Sequence, residues 1–175
     1  MSTCRNILKD QRATAAVEMA LVVPLLLVLG MGGVEVGNYF LDEHRLEKAV
    51  RDGARYAARQ DFSNYTSTSC DTTTPADVPT SLKSNTQTIV EQGLLSGGTD
   101  LLPNWSNATF TVQFYCPTID VTPGGIYTST SGAAPPAVVI VSATIPYVPV
   151  AVSGFGFNAT GFQLNAQEQA SVTGI

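Results

Sequence analysis

Hydrophobic and polar positions along this chain change period several times, and each change marks an element. From Ala13 to Val34 the residues are almost continuously apolar, with no polar face of either helical or strand period. A helix rises about 1.5 Å per residue, so this run of about 22 residues is long enough to cross a hydrocarbon core of roughly 30 Å. From Asn38 to Gln60 the pattern becomes amphipathic. Leu46, Val50, Gly53, Ala54 and Ala57 recur at spacings of three and four, while Asp42, Arg45, Lys48, Asp52, Arg55 and Arg59 read as the solvated face. Pairs four apart, Glu47 with Arg51 and Lys48 with Asp52, fit helix-surface ion pairs. The two stretches join without a break and predict one helix of about 45 residues, on the order of 70 Å long.

Past Arg59 the pattern differs in kind. Asp61 to Pro79 is rich in Ser, Thr, Asn and Pro and reads as a loop. Leu82, Ile89, Val90 and Leu94 fall near helical spacing, so Ser81 to Leu95 predicts a short helix ending about Gly93. Thr109 to Cys116 alternates, with Phe110, Val112, Phe114 and Cys116 on one face. Pro117 to Pro136 is a second loop. Ala137 to Tyr147 is β-branched and apolar on both faces, as a central strand would be, and Pro146 and Pro149 end it. Phe162, Leu164, Ala166, Ala170 and Val172 alternate with polar residues in a last strand, interrupted on its apolar face by Glu168. The fold class is therefore α+β: a long N-terminal membrane-spanning helix followed by a small antiparallel sheet of three or four strands. The boundaries read as 1–13 for a leader, 14–60 for the long helix (membrane-spanning over about 14–37, then amphipathic) and 61–175 for an α+β domain.

Charge sharpens this picture. Charged residues make up only 13% of the chain and the net charge is −5, which argues against a nucleic-acid partner. Arg5, Lys9 and Arg12 precede the apolar run, and Glu35, Asp42 and Glu43 follow it, so the N-terminus is expected in the cytoplasm and residues 61–175 outside it. A secretory signal peptide would have an apolar core of only about 7–15 residues and a cleavage site after it. The membrane run contains Pro24, Gly30, Gly32 and Gly33. Gly33 with Gly37 gives a Gly-x-x-x-Gly spacing that lets another helix come close. Within the same run stands Glu18. A carboxylate at membrane depth costs roughly 2.5–3.5 kcal/mol on insertion scales, which makes it a functional candidate. Cys70 and Cys116 both follow the run and could pair in an oxidising compartment, the alternative being two buried free thiols, while Cys4 precedes it.

Catalytic constellations are hard to assemble from these residues. The single histidine, His44, lies on the charged helix with no nucleophile in evident reach. No Cys-x-x-Cys, His-Glu-x-x-His or calcium-loop pattern occurs, so neither a metal nor another cofactor is expected. Gly30-Met-Gly-Gly lies inside the apolar run and is no phosphate loop. Asp61-Phe-Ser63 resembles the start of a metal-dependent adhesion motif, but Tyr65 stands where a third small hydroxyl residue is required. Trp105, Phe110, Phe114, Tyr115 and Tyr127 fit core packing better than a ligand patch. Asn64, Asn104, Asn107 and Asn158 head glycosylation-type triplets at a frequency close to chance.

Arg12-Ala13-Thr14-Ala15-Ala16-Val17-Glu18-Met19-Ala20-Leu21 at the start of the helix, with Gly53-Ala54-Arg55-Tyr56-Ala57-Ala58 at its end, resembles the TadE-like proteins, minor pilins or pseudopilins of tight-adherence (Flp-type, type IVc) pilus systems. The resemblance implies a bacterial inner-membrane protein with a pilin-like domain in the periplasm, and incorporation into an extracellular pilus. It implies as partners a prepilin peptidase, other pilins, the assembly platform and membrane lipid. It further implies a cut between Ala13 and Thr14, with alanine where glycine is usual, so that Glu18 becomes the fifth residue of the mature chain. There Glu18 would neutralise the new amine of Thr14 and select the register of packed helices. An uncleaved, membrane-tethered binding module is the alternative. An enzyme has no residues to support it.

Overall fold

The structure is a computed structural model that describes residues 11–65, 74–117, 125, 137–150 and 161–174, with side chains described from Thr14 onward. Helix α1 runs from Gln11 to Ala58 and passes through Pro24 without interruption. A 3-10 turn at Phe62–Tyr65 follows, then a two-residue strand β1 (Ala76–Asp77), helix α2 (Thr80–Gln92), a 3-10 turn at Trp105–Asn107, and strands β2 (Thr109–Tyr115), β3 (Val138–Pro146) and β4 (Gln163–Ser171). The strands form one antiparallel sheet in the order β1-β2-β3-β4. The fold is α+β, as the periodicities predict.

The chain divides into two compact units, Met1–Asn38 with Pro149–Ala159 and Tyr39–Val148 with Thr160–Ile175. In the first, the described helix turns are bare. Leu21 is 74% and Val28 69% exposed, so most of the apolar band is uncovered by the described residues. This helix is long and apolar enough to cross a membrane. Within this unit the Val150 amide donates to Glu35 Oε1 at 3.1 Å.

The second unit holds the core. Leu46, Ala49, Val50, Ala54, Ala57 and Ala58 of α1 are buried in one cluster with Val112 and Phe114 of β2, Val139, Val141 and Ile145 of β3, and Leu164 of β4. The strands supply these side chains at period two, one face in and one face out. Central position makes β3 the most apolar strand, since Val138–Thr144 pairs with β2 and Val138–Pro146 with β4. Pro146, at its last position, has no amide to withhold from the ladder. Gly53 sets the approach of α2: a Cβ there would lie 2.3 Å from Val90 Cγ2. Buried Thr86 satisfies its hydroxyl by donating to the Leu82 carbonyl at 2.8 Å. Behind β4, the Thr173 amide donates to the Ala58 carbonyl at 2.8 Å and ties the chain to the end of α1.

Several expectations change. Helix α2 stops at Gln92 because Gly93 takes a left-handed φ of 73° as its C-cap; Leu94 and Leu95 lie beyond it and are exposed. Phe162 precedes β4 and is 61% exposed, not part of the inner face. The 61–79 loop contains the Phe62–Tyr65 turn and β1, elements too short to produce a period. Asp42 is not on the solvated face: at 5% exposure it is buried, one turn before Leu46 on the apolar stripe, with Arg45 Nη1 2.9 Å from its Oδ1. Arg51 turns away from Glu47 and binds Glu168 Oε1 through Nε at 3.0 Å and Nη2 at 2.9 Å. Glu47 faces His44 instead, at 3.3 Å, and Asp52 lies 3.8 Å from Arg55 rather than pairing with Lys48.

Candidate functional site

The candidate site lies on the first turns of α1. Ala13 and Thr14 are already helical, and Glu18 follows Thr14 by four residues, which puts the two on one face of the helix a single turn apart. Thr14 and Glu18 are both exposed, as are all the residues between them. A carboxylate held there, amid exposed side chains, is available to a cation on the same helix or on a neighbouring one. Gly33 and Gly37 present an equally open surface. A Cβ at either would meet nothing within 4 Å, so the backbone is bare where a second helix could pack.

Other candidates resolve into structural roles. Cys116 is 3% exposed and disulfide-bonded; Cys70 lies outside the described residues. The Asp61 carboxylate accepts the Ser63 amide at 2.7 Å, closing the turn after α1, and this hydrogen bonding with Ser63 holds its pKa below the ordinary carboxylate value. Tyr65 is buried, donates its hydroxyl to the Ala57 carbonyl and packs edge-on against Phe114 with ring centroids 5.5 Å apart. Desolvation pushes its phenol pKa well above the usual value, so Tyr65 is a core anchor rather than a ligand-binding hydroxyl. Trp105, Phe110 and Phe114 are likewise core, Tyr115 is half-buried, and Tyr127 lies outside the described residues. His44 is exposed beside Glu47.

One acidic pair has no signature in the sequence. Burial and the neighbouring Asp100 raise the pKa of Glu91, at the end of α2. The buried indole N–H of Trp105 makes no hydrogen bond of acceptable geometry, yet it is near enough to Glu91 to oppose part of that rise. Sequence reading also missed buried Asp42 and the Arg51–Glu168 clasp. Asp42 was detectable, since it precedes Leu46 by four positions on the same stripe. The clasp was not, because its partners lie 117 residues apart.

These features define a class: a protein with one exposed apolar helix of membrane-spanning length, continued by an amphipathic segment into a small α+β domain. Residues 13–55 match the model of the TadE-like protein family, whose members are structural pilus components. The matched segment contains Glu18, Gly33, Gly37 and the first turns of the buried stripe. Over those residues the chain is similar to the TadE-like family. No curated protein and no solved structure matches the chain.

Proposed function

We propose that this chain is a minor pilin or pseudopilin of a tight-adherence pilus system, anchored in the bacterial inner membrane by residues 14–37 with residues 61–175 in the periplasm. The observation that carries the reading is the TadE-like match over residues 13–55, centred on an apolar helix with a carboxylate on its first turns. A prepilin peptidase cuts between Ala13 and Thr14, and residues 1–13 remain in the cytoplasm. The freed amine of Thr14 and the Glu18 carboxylate then attract each other in a medium where charge–charge energies are several times those in water. A buried carboxylate left alone costs more than one paired with an amine, so the pair favours the helix register that brings them together. Gly33 and Gly37 allow close approach to neighbouring pilin helices or to the assembly platform, and the subunit passes from the membrane into an extracellular pilus. A disulfide between Cys70 and Cys116 fits an oxidising compartment and is supported by the bonded state of Cys116.

Sequencing the N-terminus of protein purified from membranes tests the processing step: Thr14 is expected, and Met1 when the peptidase is absent. Retention of residues 1–13 in cells with active peptidase would leave the second reading, an uncleaved tether, which Ala13 in place of glycine favours. Glu18→Ala should insert normally and fail to support piliation; normal piliation would remove the register role. Thiol labelling should leave Cys70 and Cys116 unreactive until a reductant is added, and labelling of both without it would reject the disulfide.

A further inference from the structure

Large apolar side chains are exposed at one end of the folded domain, where α1 enters it. Phe40 on α1 is 54% exposed, Val148 after β3 is 40% and Phe162 before β4 is 61%. They are brought together by well-formed contacts. Tyr39 packs edge-on against Tyr147 with ring centroids 5.3 Å apart and donates its hydroxyl to the Gln163 carbonyl at 3.1 Å. The Tyr147 amide donates to the Phe162 carbonyl at 3.0 Å. Two tyrosines thus pin the β3–β4 end of the sheet to the first turn of the domain helix while their apolar neighbours face outward. Exposed aromatic and aliphatic side chains gathered in this way mark an interaction surface.

We propose that this end of the domain is a second membrane contact, its apolar side chains entering the headgroup region of the bilayer. The occupant is argued from continuity. Phe40 lies three residues past Gly37, about 4.5 Å further along α1 at the usual rise, so it stands at the membrane boundary if residues 14–37 span. Aromatic rings with a polar tip, as on Tyr39 and Tyr147, are the side chains enriched at that depth. Phe40, Val148 and Phe162 enter the acyl boundary as the apolar face of an interfacial helix does. This inference rests on the membrane-span reading of α1.

The test uses the full chain reconstituted in phosphatidylcholine vesicles carrying nitroxide-labelled lipid, labelled either near the headgroup or deep in the acyl chain. Native Trp105 is buried in the core and supplies a constant background. Phe162→Trp and, separately, Val148→Trp should gain blue-shifted emission quenched roughly twofold more by shallow than by deep label, as interfacial residues are. Leu95→Trp, exposed beyond the C-cap of α2, should emit as in water and resist both labels. Leu25→Trp, in the span, should be quenched most by the deep label. If Leu25→Trp is quenched and both Phe162→Trp and Val148→Trp are not, the second contact is wrong and the span stands. Blue-shifted but unquenched emission at both sites overturns the proposal in favour of protein contact, such as a second copy. Equal quenching of Leu95→Trp and Phe162→Trp overturns it as non-specific. An unquenched Leu25→Trp removes the span reading and this inference together.

Discussion

The two halves of α1 are equally helical and both rich in aliphatic residues, yet they meet opposite surroundings. Around Leu21 and Val28 the side chains point outward on every face, and none packs against another element among the described residues. Around Leu46 and Val50 the exposure falls to zero on one stripe, while Arg45, Lys48 and Arg55 stay in water. The difference lies in the pattern. A continuous apolar band needs an apolar solvent, whereas a stripe at spacings of three and four needs one packed partner and tolerates water elsewhere. One helix is thus patterned for two kinds of surroundings, and the junction near Asn38 falls where the period changes.

That contrast can be broken most sharply with one residue type. Leu46→Ala should destabilise the domain by about 2–5 kcal/mol, through lost burial and an unfilled cavity. Leu21→Ala should leave it within about 0.5 kcal/mol, because the domain core does not include it. Denaturant unfolding of both variants in detergent, followed by near-UV circular dichroism, makes the comparison. Equal losses would mean that the halves fold as one unit.

The glycines give the next effect in size. A methyl at Gly53 collides with Val90, so Gly53→Ala should cost about 1–3 kcal/mol as an overpacked contact. Gly37→Ala meets open space and should be neutral or raise helix stability by up to about 1 kcal/mol. The double variant Gly53→Ala/Val90→Ala sharpens the claim: it should relieve the clash, and its failure to recover stability beyond Val90→Ala alone would argue against the close approach of α2.

The Arg51–Glu168 clasp should matter less. Both side chains keep solvent contact, at 56% and 32% exposure, so a double-mutant cycle with Arg51→Ala and Glu168→Ala should give a coupling below about 1 kcal/mol that shrinks in salt. Zero coupling at low salt would demote it to a chance contact.

The smallest effect is one of pH. Glu91 has a raised pKa in the fold, so the native state holds its proton more tightly than the unfolded chain. Stability from this group is present at acid pH and is lost as pH rises from the unfolded carboxyl value, near 4.5, through the raised native value. Glu91→Gln should flatten that part of the pH–stability profile and be slightly more stable than wild type at neutral pH. An unchanged slope would show that Asp100 and burial do not act on Glu91.

Much of this was legible along the chain because it depends on local period. The span, the stripe of Leu46, Val50 and Ala57, the alternation of β2 and the doubly apolar β3 follow from which side chains must leave water. So does the candidate site: Glu18 stands out because nothing near it is charged, and its four-residue spacing from Thr14 is a property of one helix. The rest required three dimensions. Asp42 looks solvated by residue type, yet it lies on the buried stripe. Glu168 seems to interrupt an apolar face until Arg51, 117 residues away, proves to meet it there. The aromatic end at Tyr39, Tyr147 and Phe162 joins a helix to two strands distant in sequence. Hydrophobic period reports what each residue needs from its surroundings. Which distant residue supplies it is decided only when the sheet closes over the helix.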